Sequence, residues 1–133
     1  IQGSEVRLMQ LTDNFAMSEF DCHDGTSVSW DLVDNVQKLA NNLQVLRDTI
    51  GKAVHVISAF RPSTYNKKVG GAKRSYHIKA MAADIRVNGM NPKEVKAVIE
   101  VLIAEGKMEQ GGVGLYKTFV HYDIRGRKAR WSG

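Results

Sequence analysis

A chain of 133 residues, 43% hydrophobic and 25% charged, is sized and composed for one folded domain, which excludes disorder and fibrous repeats and leaves no comfortable room for two cores. No run nears the ~20 consecutive apolar residues of a membrane helix. The net charge of +5 predicts attraction to polyanions, a class that spans nucleic acid, anionic membrane and anionic cell-wall polymers.

Ile1-Gln2-Gly3-Ser4 lacks the charged-then-apolar pattern of a signal peptide and has the look of a tag remnant, so residues 5–133 are the expected domain and export would rest on sequence outside this chain. Leu32, Val36, Leu39, Leu43, Leu46 and Ile50 recur at helical spacing and predict a helix from Trp30 to Ile50, with Ser29 placed to cap it and Gly51 to end it. Val54 to Phe60 reads as a buried strand. Residues 61–76 contain Pro62 and Gly70-Gly71 and predict a long surface loop with one short helical turn, a length that usually signals function. Ala82 to Val87 predicts a second strand, ended by Asn88-Gly89. Asn91, Pro92 and Glu94 open a second helix that ends at Gly106. Val113 to Tyr116 and Phe119 to Ile124 form an expected hairpin. This order predicts an α+β fold with helices packed on a small, mainly antiparallel sheet.

Among polar residues, His77, Asp84 and His121 with Asp123 stand out, because they lie at or in strands beside apolar neighbours. Imidazole and carboxylate suit zinc, but the step from His77 to Asp84 is not a helical ligand pair, and hydrogen-bonded core histidines with ordinary surface acids explain the same residues. The single cysteine, Cys22, rules out an internal disulfide and reads with His23 as a buried thiol beside an exposed imidazole. His55 reads as structural. Trp30 and Trp131 read as core or edge packing before sugar platforms. Lys67-Lys68, Lys73-Arg74 and the tail cations Arg125, Arg127, Lys128 and Arg130 read as solvated loops.

Ser75-Tyr76-His77-Ile78-Lys79-Ala80-Met81-Ala82-Ala83-Asp84 resembles the Ser-x-His-x-x-Gly-x-Ala-x-Asp signature of the zinc D-alanyl-D-alanine carboxypeptidase family, to which the hedgehog amino-terminal domain is a distant relative. Ser58-Ala59-Phe60-Arg61 is similar to the family's Ser-Gly-Tyr-Arg. Tyr65-Asn66 through Val69-Gly70-Gly71-Ala72 resembles its next block, and Gly112-Val113-Gly114-Leu115-Tyr116 to His121-Tyr122-Asp123 resembles its terminal hairpin. Asn14-Phe15, Ser18-Glu19-Phe20 and Cys22 fit the start of a bacterial and phage branch. The likeness therefore spans nearly the whole chain, in order.

The resemblance implies a zinc ion on His77, Asp84 and His121, substrate polarisation by Arg61, and a supporting or substrate-holding Ser75. Two positions depart from the pattern. Ala80 stands where the family has glycine, a cost if the position needs positive φ. No carboxylate occurs among the five residues before His121, where better-known branches carry an acidic base, so Asp123 becomes the candidate, either as base or as a partner fixing a zinc-bound ring, with Glu109 in reserve. The implied activity is hydrolysis of peptidoglycan stem or cross-link peptides, as carboxypeptidase or endopeptidase, by a monomer in the cell wall, periplasm or extracellular space, or as a phage lysin. Anionic wall polymers are expected contacts of the basic patches; nucleic acid is not an expected partner. The alternative is a zinc-stabilised cell-wall binding module without turnover.

Overall fold

The computed structural model describes residues 9–71 and 75–133, so the expected tag remnant, the start of the expected domain and Lys73-Arg74 lie outside the described residues. Three helices, α1 (Val33–Ile50), α2 (Ser63–Lys68) and α3 (Pro92–Ala104), accompany five strands: β1 (Val54–Ser58), β2 (Ala82–Val87), β3 (Gly112–Leu115), β4 (Val120–Asp123) and β5 (Ala129–Ser132). The strands form one sheet in the order β1-β2-β4-β3-β5, antiparallel throughout except that β5 runs parallel to β3. This is the expected α+β architecture. No helix among the described residues is long and apolar enough to cross a membrane.

Each helix follows from its local sequence. Apolar residues at helical spacing bury Val36, Leu39, Leu43 and Leu46 of α1 against the sheet, and Gly51 ends the helix with φ 64°. Its start differs from expectation: Trp30–Leu32 is a 3₁₀ turn, Ser29 makes no side-chain cap bond, and Trp30 is 63% exposed instead of packed. In α3, Asn91 accepts from Glu94 N at 2.9 Å while Glu94 accepts from Asn91 N at 3.0 Å, satisfying two donors that a helix start otherwise leaves bare. The α3 helix packs on β2, β3 and β4, and α1 packs on β1 and α3. Ahead of α1, Phe15, Met17, Phe20 and Cys22 are buried in the same core, and His23 is exposed.

Two further segments differ from the sequence reading. The first strand stops at Ser58 after a bulge between Val56 and Ser58, which frees the Ala59 carbonyl to meet His77. The basic tail is not all solvated loop, because β5 lies within it. Arg130 clamps that strand to α3 through paired bonds to Glu100 at 2.7 to 3.0 Å. Lys67, Lys68, Arg127 and Lys128 are exposed as expected.

The Arg130 bonds hold the Glu100 carboxyl below its ordinary value of 4.5 against the opposing effect of burial. The stability from this pair is therefore present above the ordinary value and lost as pH falls through the lowered folded one. We expect Glu100→Gln to cost under about 1 kcal/mol at neutral pH, the pair being partly exposed. Paired thermal melts should converge in strong acid; a difference that persists there would mean lost packing instead.

Candidate active site

One row across the sheet builds the site. Ser58 on β1, Asp84 on β2, His121 on β4, Gly114 on β3 and Trp131 on β5 are successive cross-strand partners. Alternation along β4 sends His121 and Asp123 to one face and Tyr122 to the helical face, where its hydroxyl donates to Glu109 O at 2.7 Å. Glu109 thus sits on the helical side of the sheet beside Lys38 and Asn42, remote from the row that carries His121.

His77 reaches the row from the turn before β2. Ala80 N–H bonds His77 O and Met81 N–H bonds Tyr76 O, the paired closure of a Schellman motif. The left-handed position of that motif is Ala80, with φ 56°, a conformation that glycine adopts without the cost alanine bears. The alanine methyl is buried, so removing it loses about 0.8 kcal/mol of burial while relieving strain of roughly 1–2 kcal/mol. Ala80→Gly should therefore shift stability by no more than about 1 kcal/mol, whereas Ala80→Val should lose about 2 kcal/mol or more, since a branched Cβ worsens the strain. Denaturant melts decide this; a valine variant as stable as wild type would remove the strain argument.

The structure brings together His77, Asp84 and His121, all buried, with one potential donor atom from each lying within 4.8 Å of the others. Asp84 Oδ1 is 3.4 Å from His77 Nε2 and 3.3 Å from His121 Nδ1. The outward atoms are tied to protein: His77 Nδ1 donates to Ala59 O at 2.7 Å, His121 Nε2 donates to Asp123 Oδ2 at 2.7 Å, and Asp84 Oδ2 accepts from Arg61 Nη2 at 3.1 Å. In the neutral form of each ring these outer bonds leave the inward nitrogen with a lone pair, which is what a metal requires. The donor set therefore fits a metal ion. Burial opposes ionisation of Asp84, but bonds to His121 and His77 outweigh it and keep the carboxyl well below its usual range. Burial likewise opposes the charged form of His121, while Asp123 and Asp84 raise its pKa overall.

Asp123 lies behind the His121 ring and is completely buried. Its Oδ1 accepts from Gly112 N at 2.9 Å and Arg125 Nε at 2.8 Å, and its Oδ2 accepts from Arg125 Nη2 at 2.7 Å as well as from His121. It does not line the cleft. Burial works against its charge, but Arg125 and His121 win and hold the carboxyl far below the ordinary value. Gly112 is required beside it, because a Cβ there would collide with the Asp123 carboxylate and the Arg125 guanidinium.

The cluster forms the floor of an open cleft of about 830 Å³. Arg61 projects into it from the start of the loop, held by Ser58 Oγ at 3.1 Å and Asn66 Oδ1 at 3.4 Å, with further N–H donors available to the cleft. Ser75 Oγ accepts from His77 N at 3.2 Å, which supports the ligand turn. Trp131, edge packing as expected, lies over Gly114, where a side chain would strike its indole, and its ring sits 4.9 Å from that of His121. Its Nε1 donates to Tyr116 Oη at 2.9 Å. Residue-by-residue reading of the sequence did not find Gly112, Gly114, Tyr76 or Tyr116. The alternation of Gly112 and Gly114 on one strand was the available signal, since glycine inside a strand marks close approach.

A buried His-Asp-His cluster of inward-facing donor atoms, opening to a cleft on a mainly antiparallel sheet, is a group that could hold a metal ion. The chain belongs to the Peptidase M15 family, whose sequence profile matches residues 13–123. It is 34% identical over 99 residues to a Haemophilus influenzae protein named as a probable peptidoglycan L,D-endopeptidase, MepK. That alignment takes in 69% of this chain and 50% of the relative, so the chain spans about half the length of the curated relative it matches.

Proposed function

We propose that residues 5–133 act as one zinc peptidase domain that hydrolyses bonds in the stem or cross-link peptides of bacterial peptidoglycan, in the cell wall or periplasm. The observation that carries this reading is the inward-facing set of His77 Nε2, Asp84 Oδ1 and His121 Nδ1. Two imidazoles and one carboxylate suit zinc better than magnesium or calcium, which prefer oxygen ligands throughout. A zinc ion held by His77, Asp84 and His121 would supply Lewis acidity toward water and a peptide carbonyl. Arg61 orients the substrate carbonyl or carboxylate with its remaining donors, and its bond to Asp84 keeps the guanidinium aimed at the cluster. Ser75 holds the His77 turn. Asp123 acts through His121 as a positioning residue. The name carried by the Haemophilus influenzae relative favours endopeptidase over carboxypeptidase action.

A second reading, a zinc-stabilised binding module without turnover, is favoured by one observation: among the described residues that line the cleft, Asp84 is the only carboxylate. Digestion of purified peptidoglycan with the zinc-loaded protein, with and without chelator, separates the two. Mass analysis should show new amino termini within stems or cross-links that vanish on chelation. Release of single D-alanine would assign carboxypeptidase action instead, and intact peptidoglycan despite bound zinc would establish the binding module.

Arg61→Lys keeps the charge and loses the planar fork. We expect a fall in turnover on the order of 10²-fold, the usual cost of one oriented donor, with the fold retained by circular dichroism. Wild-type turnover in Arg61→Lys would remove its substrate role.

A further inference from the structure

The block from Tyr65-Asn66 to Gly71 supplies nothing to the metal cluster, yet it carries a buried polar side chain: Asn66 is 2% exposed. The short helix α2 ends in a Schellman motif, in which Gly71 N–H bonds Asn66 O at 2.8 Å and Gly70 N–H bonds Lys67 O at 3.2 Å. Gly70 takes the left-handed position, with φ 78°. Such a closure commonly seals an apolar contact between the residue after the left-handed one and the third residue from the helix end. Here those two places hold Gly71 and Asn66. Gly71 does not have the positive φ that favours glycine; it is needed for space, because a Cβ there would run into the Asn66 carboxamide.

The carboxamide enclosed in this way meets Arg61. Each nitrogen of that guanidinium has a protein acceptor: Nε bonds Ser58 Oγ at 3.1 Å, Nη2 bonds Asp84 Oδ2 at 3.1 Å, and Nη1 bonds Asn66 Oδ1 at 3.4 Å. Two anchors alone leave a planar group free to tilt about the line that joins them. The third lies off that line and fixes the plane. Asn66 is not among the described residues that line the cleft, whereas Arg61 and Gly71 are.

We propose that Asn66, seated against Gly71, is a positioning residue for Arg61: it sets the plane in which the remaining guanidinium donors meet a substrate. The inference rests on the peptidase reading and adds to it a residue that touches neither substrate nor metal ligand. Misplacing an orienting group by 1 Å can cost on the order of 10²-fold in rate. Losing one long anchor of three costs less, about tenfold, the contribution of a single hydrogen bond.

The test uses the zinc-loaded protein and a synthetic stem-peptide dimer. Asn66→Ala should lower kcat about tenfold with KM and zinc content little changed, since the lost alignment is felt where charge develops on the substrate carbonyl. A residue that only stabilised the fold would leave kcat per folded molecule unchanged. Gly71→Ala should cause the same loss by displacing the carboxamide. Asn66→Ala empties the space that the new methyl needs, so the double variant should be no slower than Asn66→Ala alone. Asn66→Asp keeps an acceptor in place and should retain most of the rate.

A readout independent of turnover is the nitrogen-15 spectrum of the arginine side chains, in which an anchored guanidinium turns slowly about its Nε–Cζ bond and shows separate Nη signals. Exchange between the Arg61 pair, assigned by its loss in Arg61→Lys, should quicken in Asn66→Ala and Gly71→Ala and stay slow in Asn66→Asp. Wild-type kcat in Asn66→Ala, losses that multiply in the double variant, or exchange unchanged in both single variants would overturn the proposal. Should Asn66→Ala fail to fold, Gly71→Ala and Asn66→Asp carry the comparison. If the wild-type protein cuts no peptide, the peptidase reading falls, and the Nη exchange rates still decide whether Asn66 holds Arg61.

Discussion

Alanine in place of His77 should take peptide hydrolysis to background and leave the protein without stoichiometric zinc. The ring contributes one of three inward donors, and its Nδ1 bond to Ala59 O leaves Nε2 no other task than the cluster. Removing it leaves Asp84 and His121, too few protein ligands for a hydrolytic zinc site. The effect on stability is separable from the effect on fold. A metal bound at a thousandfold its dissociation constant contributes about 4 kcal/mol, so chelation should lower the melting temperature of the wild-type protein by many degrees. The helix-side core of α1, α3 and the sheet does not include the cluster, and Asp84 already bonds both histidines and Arg61 without a metal. Chelated protein should therefore keep its far-ultraviolet dichroism and a cooperative melt. His77→Ala should melt near the chelated wild type and gain nothing from added zinc. Elemental analysis showing full zinc occupancy in His77→Ala would remove this residue from the ligand set.

The parts of this arrangement that could be read from sequence are those written in local patterns. The strand Ala82–Val87 is found to the residue because turn signals bound it, and the start of α3 is marked by a cap, a proline and a first-turn acid. That His121 and Asp123 share a face also follows from strand alternation alone. What alternation cannot give is the side of the imidazole on which the carboxylate lies. It lies on the Nε2 side, away from Asp84, a consequence of ring orientation and of the space left by Gly112. The fifth strand escaped detection for another reason. Ala129–Ser132 carries one large apolar residue inside a basic tail, and its partner β3 pairs with it in parallel across an intervening strand and turn, which leaves no hairpin signature. With that strand unseen, Trp131 could not be placed beside His121, nor Arg130 against Glu100.

Asp123→Asn should weaken zinc binding by about 10- to 100-fold, the usual consequence of losing the partner of a ligating histidine, and turnover should fall in step with zinc occupancy. The reason lies in the hydrogen-bond inventory. Both Asp123 oxygens serve as acceptors, Oδ1 for Gly112 N, Arg125 N and Arg125 Nε, and Oδ2 for Arg125 Nη2 and His121 Nε2. An asparagine amide placed either way must aim its NH₂ group at donors. If it faces His121, the ring relieves the clash by moving its proton to Nδ1, the atom that must offer a lone pair to the metal. If it faces Gly112, Arg125 loses its countercharge in a half-buried site, and breaking a buried pair in this way costs roughly 3 kcal/mol. Either arrangement makes the variant less stable, so stability alone cannot assign the role. Zinc affinity can. A positioning residue predicts that excess zinc restores much of the turnover, whereas a residue that takes a proton from water would leave zinc bound and turnover lost at any zinc concentration. Arg125→Ala supplies the control, since it removes the ion pair while keeping the Asp123 bond to His121, and it should lower stability with less loss of zinc affinity. Tight zinc binding with abolished turnover in Asp123→Asn would move Asp123 from behind the ring into the chemistry, and unchanged zinc affinity with unchanged turnover would reduce it to a partner of Arg125.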